Sequence, residues 1–296
     1  MSITADPKSI RALALDLDGT TLAPGGVLTP RTVSAIKACR QRGLEIIIAT
    51  GRAIDAVEPY RASLGAAGPM IYFNGAVVAE MPGGKILRTT LLDIKAAVYC
   101  MELARETGVY YQVYFPPEPR AAGIHPDGIP SAKSGAPRIT LMAEKDGPER
   151  EMYHKHTGIL AELGDLKEAL SRPGLRGCVK SMFLAEPEVQ AMLRPKLDER
   201  FGKSVYIART LRTFLEIMDA KVSKGEGLRF SMERRSLKPE EVIAFGDEEN
   251  DLPMFEAAGF SAAPSNAKDS VKAAADVVIG SNAEDGVAAF LEEFFG

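Results

Sequence analysis

The sequence predicts an α/β fold, a doubly wound parallel sheet with an inserted α+β cap domain. Short apolar runs alternate with capped helical segments at the start of the chain. A turn-rich break, Pro82-Gly83-Gly84, ends that alternation, and the alternation returns near the C-terminus. Apolar strands alternating with helices are the pattern of a parallel sheet covered on both faces. The expected division is residues 1–83 as the N-terminal part of the core domain, 84–211 as the inserted cap, and 212–296 as the C-terminal part of the core.

Each element has a local reason. Ile10 to Leu15 is a short apolar run leading into acidic residues, read as a buried strand. Thr29-Pro30 opens a helix with Thr29 as N-cap and Pro30 in the first turn, and Gly43 closes it. Leu44–Ala49 is a second buried strand, Ala53–Leu64 a helix stopped by Gly65, and Met70–Phe73 a third strand. Beyond the break, Lys85–Leu92, Asp93–Thr107 and Val109–Phe115 read as strand, helix, strand. Pro116 to Pro137 is a long loop crowded with Pro and Gly. Strands at Cys178–Ala185 and Val205–Leu211 flank a helix over Glu188–Phe201. The core pattern resumes after Phe214–Met218. Ser223 and Glu226 have capping-box spacing, so a helix starts at Ser223 and runs to about Arg235. Val242–Phe245 and Val277–Ile279 complete the strands, and helices are expected at Leu252–Ala258, Ala267–Ala275 and Ala283–Phe294.

Composition narrows the function classes. The 296 residues carry 36 Lys+Arg against 40 Asp+Glu, a net charge of −4. That balance fits neither a nucleic-acid clamp nor a cationic membrane-surface protein. No apolar run is long enough to span a bilayer, and the first ten residues lack a signal-peptide core. Cys39, Cys100 and Cys178 show no metal-ligand spacing and are expected as free thiols in a reducing, cytoplasmic compartment.

Polar residues gather where core strands end, and in open parallel sheets ligands bind beyond the carboxyl ends of the strands. In Asp16-Leu17-Asp18-Gly19-Thr20 the two carboxylates lie two residues apart, on one face of extended backbone. They repel unless a cation lies near, and Mg²⁺ suits oxygen donors and phosphate substrates. An acidic turn explains this segment alone equally well. Thr50-Gly51-Arg52 offers a hydroxyl and amides near a helix start, a natural anion site, although Thr50 also reads as an ordinary N-cap. Gly246-Asp247-Glu248-Glu249-Asn250-Asp251 brings carboxylates and an amide directly after a buried strand. Lys224 opposes its helix dipole, a cost that a phosphate or the acidic loop would offset. A nucleophile, charge neutralisation, a metal and a proton carrier are the requirements of phosphoryl transfer. Neither a P-loop nor a Gly-x-Ser-x-Gly elbow is present.

These four segments, in this order, resemble the motifs of the haloacid dehalogenase superfamily. The insertion after the second motif and the loop Phe73-Asn74-Gly75-Ala76 look like its Cof-type subfamily. The resemblance implies that Asp16 is the nucleophile and forms an aspartyl-phosphate, and that Asp18 is the general acid and base. It implies Mg²⁺ held by Asp16, the Asp18 carbonyl and Asp247. It further implies phosphoryl oxygens bound by Thr50, the Gly51 amide, Lys224 and Asn250, with Asp251 orienting Lys224 or a metal-bound water. The residues alone do not choose between Asp16 and Asp18 as nucleophile. Glu248 and Glu249 are read as solvent-facing.

The expected function is a Mg²⁺-dependent phosphatase of small phosphorylated metabolites, sugar phosphates among them. A phosphomutase or phosphotransferase uses the same chemistry with a sugar hydroxyl as acceptor. A catalytically silent phosphometabolite sensor is the third class. Monomer and homodimer are both compatible with the sequence. His154 and His156, two apart, do not share a helix face. His125, in the long loop, is a candidate substrate contact. Tyr110, Tyr111, Tyr114 and Phe115 read as sheet packing.

Overall fold

In the computed structural model, five strands form a parallel sheet in the order Val277–Ile279, Phe260–Pro264, Val242–Phe245, Ala12–Leu15, Glu45–Ile48. Residues 6–116 and 139–296 are described. Ala12–Leu15 is wholly buried, as a strand paired on both sides and covered on both faces must be. Leu15 lies beside Phe245 on one side and Ile48 on the other. The three strands therefore end level, and the residues that follow them emerge at one edge. The chain leaves Ala12–Leu15 in opposite directions before and after the insertion, which puts the topological switch point at this strand.

A single bridge, Ala49 to Ile71, carries Gly68–Tyr72 alongside the sheet. Gly68–Tyr72 then pairs antiparallel with Val77–Met81, in a three-stranded sheet completed by Lys85–Thr89. Helices form where the caps direct. Thr29 caps Pro30–Gln41 by accepting from the Thr32 amide, and Gly65 closes Ile54–Leu64 in the left-handed conformation.

Contacts divide the chain into two units, Met1–Leu87 with Ser223–Gly296, and Arg88–Val222. The second unit holds a six-stranded sheet in the order Val205–Leu211, Phe214–Asp219, Lys180–Leu184, Tyr110–Tyr114, Leu141–Ala143, Glu162–Leu163. Residues of the helices Ile94–Thr107, Leu166–Leu170 and Pro187–Phe201 join Tyr111, Val113, Phe183, Leu215 and Ile217 in its core. Tyr111 packs against Phe183 with ring centroids 5.0 Å apart, so the aromatic run serves the sheet.

Two expectations of the sequence differ here. The units change over after Leu87 and after Val222, not after residues 83 and 211. The reason for the second shift is pairing: Phe214–Asp219 is bonded antiparallel to Val205–Leu211 and to Lys180–Leu184, so it belongs with the cap sheet. Second, Phe260–Pro264 and Val77–Met81 are additional strands, as are Leu141–Ala143 and Glu162–Leu163, and Pro148–Thr157 and Leu166–Leu170 are additional helices. The expected loop over Pro116–Pro137, Pro116 apart, and the candidate contact His125 lie within residues 117–138, outside the described residues.

Candidate active site

Asp16 follows Ala12–Leu15 and is 4% exposed. Its amide donates to the Phe245 carbonyl at 3.0 Å, and its own carbonyl accepts from Thr21 Oγ1 at 2.5 Å. The amides of Thr20, Thr21 and Leu22 all converge on the Leu17 carbonyl, which turns the chain sharply back. Gly19 serves that turn in two ways. Its φ of +78° is disfavoured for other residues, and a Cβ there would lie 2.1 Å from Asp247 Oδ2. The absence of a side chain lets the fourth-motif carboxylate lie against the first-motif turn.

Asp247 follows Val242–Phe245 and accepts from Thr20 Oγ1 at 2.8 Å. Asp251 is fully buried. Its Oδ2 accepts from the amides of Asp247 and Glu248 at 3.0 and 3.1 Å, and its Oδ1 accepts from Lys224 Nζ at 2.6 Å. Lys224 Nζ also donates to Asp16 Oδ1 at 2.6 Å. Lys224 opens the helix Lys224–Arg235, whose N-cap Ser223 accepts from the Glu226 amide at 3.1 Å. Gly75, at φ +101°, allows the Ser223 carbonyl to come where a Cβ would meet it at 2.1 Å. The first, third and fourth motifs thus meet around one ammonium group.

The electrostatics follow from burial. Fully ionised, the three buried carboxylates would carry two more charges than the Lys224 ammonium neutralises. Burial pushes the Asp16 carboxyl well above its ordinary value; Lys224 pulls it back, and Asp251, Asp247 and Asp18 push it further. Burial, then Asp251, raises Asp247 to about 6. Burial works against the Lys224 cation, but Asp16 and Asp251 more than offset it, and its pKa ends above the ordinary range.

The residues fit a hard divalent cation. Asp16, Asp247 and Asp251 each offer a carboxylate oxygen within 4.8 Å of the others. All donors are oxygens, and the charge deficit of the cluster equals that of one divalent ion. Hydrogen bonds occupy both oxygens of Asp251. Asp16 and Asp247 each commit one oxygen, to Lys224 and Thr20, and keep a second. No His belongs to this cluster among the described residues. Glu248 and Glu249 face outward, with Glu248 paired to Lys268 at 2.8 Å.

Thr50 and Gly51 follow Glu45–Ile48 at the same edge. The Thr50 amide donates to Ile71 and its carbonyl accepts from the Asn74 amide at 2.9 Å. Asn250 Nδ2 donates to Asn74 Oδ1 at 3.0 Å, which brings the fourth motif to the second. Asn74 Nδ2 and Asn250 Oδ1 are buried without a protein partner. Asp18 lies apart from the acidic cluster. Its carboxylate is 55% exposed and takes a two-pronged bond from Arg52, Nε to Oδ2 at 2.7 Å and Nη2 to Oδ1 at 2.5 Å.

Asp16, Asp18, Thr50, Gly51, Lys224, Asp247, Asn250 and Asp251 therefore lie at or beside the switch point; His125 is outside the described residues. Sequence reasoning missed the partners: Thr20 on Asp247, Asn74 on Asn250, and Arg52 on Asp18. Asn74 carried a signal in the Asn-Gly pair, which reads equally as a turn. The other two look like ordinary loop residues until the fold closes distances of 227 and 34 positions.

Fold and site together define an α/β protein with an acidic, lysine-bridged centre at its switch point. The chain matches the family model of haloacid dehalogenase-like hydrolases over residues 13–291. Pyridoxal phosphate phosphatase YbhA of Escherichia coli (strain K12) is 30% identical over 287 residues, covering 95% of this chain and 97% of that one. The 5-amino-6-(5-phospho-D-ribitylamino)uracil phosphatase YitU of Bacillus subtilis (strain 168) is 27% identical, covering 96% and 97%. A crystal structure of a Thermotoga maritima protein aligns with a TM-score of 0.79 at 29% identity, covering 96% of this chain and 97% of that one. The chain belongs to the haloacid dehalogenase-like hydrolase family, and it is an enzyme of the phosphatase type that its named relatives represent.

Proposed function

We propose that this protein hydrolyses small phosphate monoesters through an aspartyl-phosphate on Asp16, with Mg²⁺ as cofactor. The observation that carries this reading is the convergence of Asp16, Lys224, Asp247 and Asp251 at one strand edge, with Lys224 2.6 Å from both Asp16 and Asp251. Asp16 attacks phosphorus in line, and the bond from phosphorus to the ester oxygen breaks. Asp18 gives its proton to that departing oxygen. Asp18, now ionised, takes a proton from water as the water attacks phosphorus. The bond from phosphorus to Asp16 breaks and inorganic phosphate leaves.

Lys224, Thr50, the Gly51 amide and Asn250 hold the phosphoryl oxygens in this reading, and Asp251 fixes Lys224. Asp16, the Asp18 carbonyl and Asp247 would hold Mg²⁺, which neutralises phosphoryl charge when bound. The Thr20, Thr21 and Leu22 amides donate to Leu17, not to the Asp18 carbonyl, which supports that assignment.

The substrate is a small phosphorylated metabolite. Pyridoxal phosphate and phosphorylated ribityl compounds are the first compounds to test, because relatives carry such names. Phosphate release over a panel of phosphorylated sugars, vitamins, nucleotides and small acids tests the reading. Metal-dependent release that chelator abolishes is expected. A sugar phosphate isomerised without release of phosphate would overturn hydrolysis in favour of phosphoryl transfer.

A further inference from the structure

Arg52 has no part in the reaction as written above, yet it is held more firmly than its exposure requires. Its guanidinium clasps both oxygens of Asp18 at 2.7 and 2.5 Å. Its Cζ lies 5.2 Å from the centre of the Tyr60 ring, and Nη1 reaches Tyr60 Oη at 3.5 Å. Tyr60 Oη in turn donates to the Gly26 carbonyl at 2.9 Å, at the tip of the turn closed by the Ala23–Val27 bridge. The backbone is fixed as well: the Arg52 amide donates to Thr50 Oγ1 at 3.2 Å and its carbonyl accepts from Phe73 at 3.1 Å.

An ion pair this exposed adds little to stability. A planar fork lying over a ring and carried on a fixed main chain does something else, since it fixes the direction of the carboxylate it grips. Without the fork, the half-exposed Asp18 side chain would be free to change rotamer. Donation to both oxygens at once fixes the plane of the carboxylate as well as its position. We propose that Arg52, braced by Tyr60, is a positioning residue for the second half of the reaction, orienting the Asp18 carboxylate toward the hydrolytic water. In that step a water O–H bond breaks, its proton goes to Asp18, the water oxygen bonds phosphorus, and Asp16 is released.

The inference rests on the aspartyl-phosphate reading, and the two fail differently. The experiment uses the full chain with saturating Mg²⁺ and p-nitrophenyl phosphate, followed in rapid-mixing and steady-state modes. In Arg52→Gln, kcat falls about tenfold or more while kcat/KM, which reports the first half, stays within about threefold. A burst of p-nitrophenol stoichiometric with enzyme then precedes the slow phase, and acid quenching traps phosphate on the protein. Tyr60→Phe, which keeps the ring and loses the hydroxyl, shifts the same ratio in the same direction by less. Equal loss in kcat and kcat/KM without a burst would place Arg52 on the substrate and overturn the inference. Unchanged kinetics in both variants would also overturn it. Failure of the underlying reading looks different, because wild-type activity would then survive Asp16→Asn or Asp18→Asn.

Discussion

Lys224 holds the acidic cluster together, because among the described residues it is the one cation paired with both Asp16 and Asp251. Removing one partner from a buried charged network leaves the others uncompensated. Lys224→Met should therefore cost about 3 kcal/mol of metal-free stability in urea unfolding. It should also abolish measurable turnover. Asp247 has the opposite sign. Its folded pKa is raised from the ordinary aspartate range to about 6, so the folded state holds the proton more tightly than the unfolded state does. In chelator, stability is then lost as pH rises from near 4 to near 6. Asp247→Asn should flatten that slope and gain on the order of 2 kcal/mol above pH 6. A metal-free variant with an unchanged slope would contradict this. Asp16 and Asp247 were readable in sequence because each closely follows an apolar strand, and Lys224 because it opens a capped helix against the dipole. The partners Thr20, Asn74 and Arg52 were not, because nothing local distinguishes a threonine that bonds Asp247 from one that ends a turn.

Elements with strong local signals formed where the sequence placed them. Ser223 caps Lys224–Arg235 as its spacing implied, although the Glu226 carboxylate bonds Arg229 at 2.6 Å. Ser223→Ala should cost about 1 kcal/mol. Gly19→Ala should do more than strain a turn. Its Cβ would meet Asp247 Oδ2 at 2.1 Å, so metal affinity and turnover should fall together, turnover by about a hundredfold. Titration calorimetry with Mg²⁺ and steady-state rates check this; a variant with full metal affinity would contradict it. Phe260–Pro264 was illegible for a physical reason: Phe-Ser-Ala-Ala-Pro has little intrinsic strand preference, and pairing between Val242–Phe245 and Val277–Ile279 makes it a strand. Phe214–Met218 was legible only as the point after which the core pattern resumes, not as a strand of the cap sheet. Antiparallel pairing to the preceding strand across a tight turn, not composition, sets its place.

For the molecule as a whole, the net charge of −4 says less than where the charges sit. Among the described residues no helix is long and apolar enough to cross a membrane. Two buried carboxylates uncompensated by Lys224 oppose folding of the metal-free protein, and a bound divalent ion would remove that opposition. At a Mg²⁺ concentration about 100 times its dissociation constant, linkage supplies roughly 2.7 kcal/mol. The melting temperature should rise by several degrees with Mg²⁺, and Asp247→Asn should lose most of that rise. The core–insertion–core plan was legible because the apolar alternation stops and restarts. Much of the insertion was not, because its short strands, such as Glu162–Leu163, exist only through pairing with neighbours.

In the proposed reaction Asp16 carries the phosphoryl group. Acid quenching of the enzyme during turnover of a radiolabelled phosphate monoester with Mg²⁺, followed by peptide mapping, tests it most directly. Label on the peptide containing Asp16, absent in Asp16→Asn together with turnover, is the predicted result. Label on another residue, or undiminished turnover in Asp16→Asn, would contradict it.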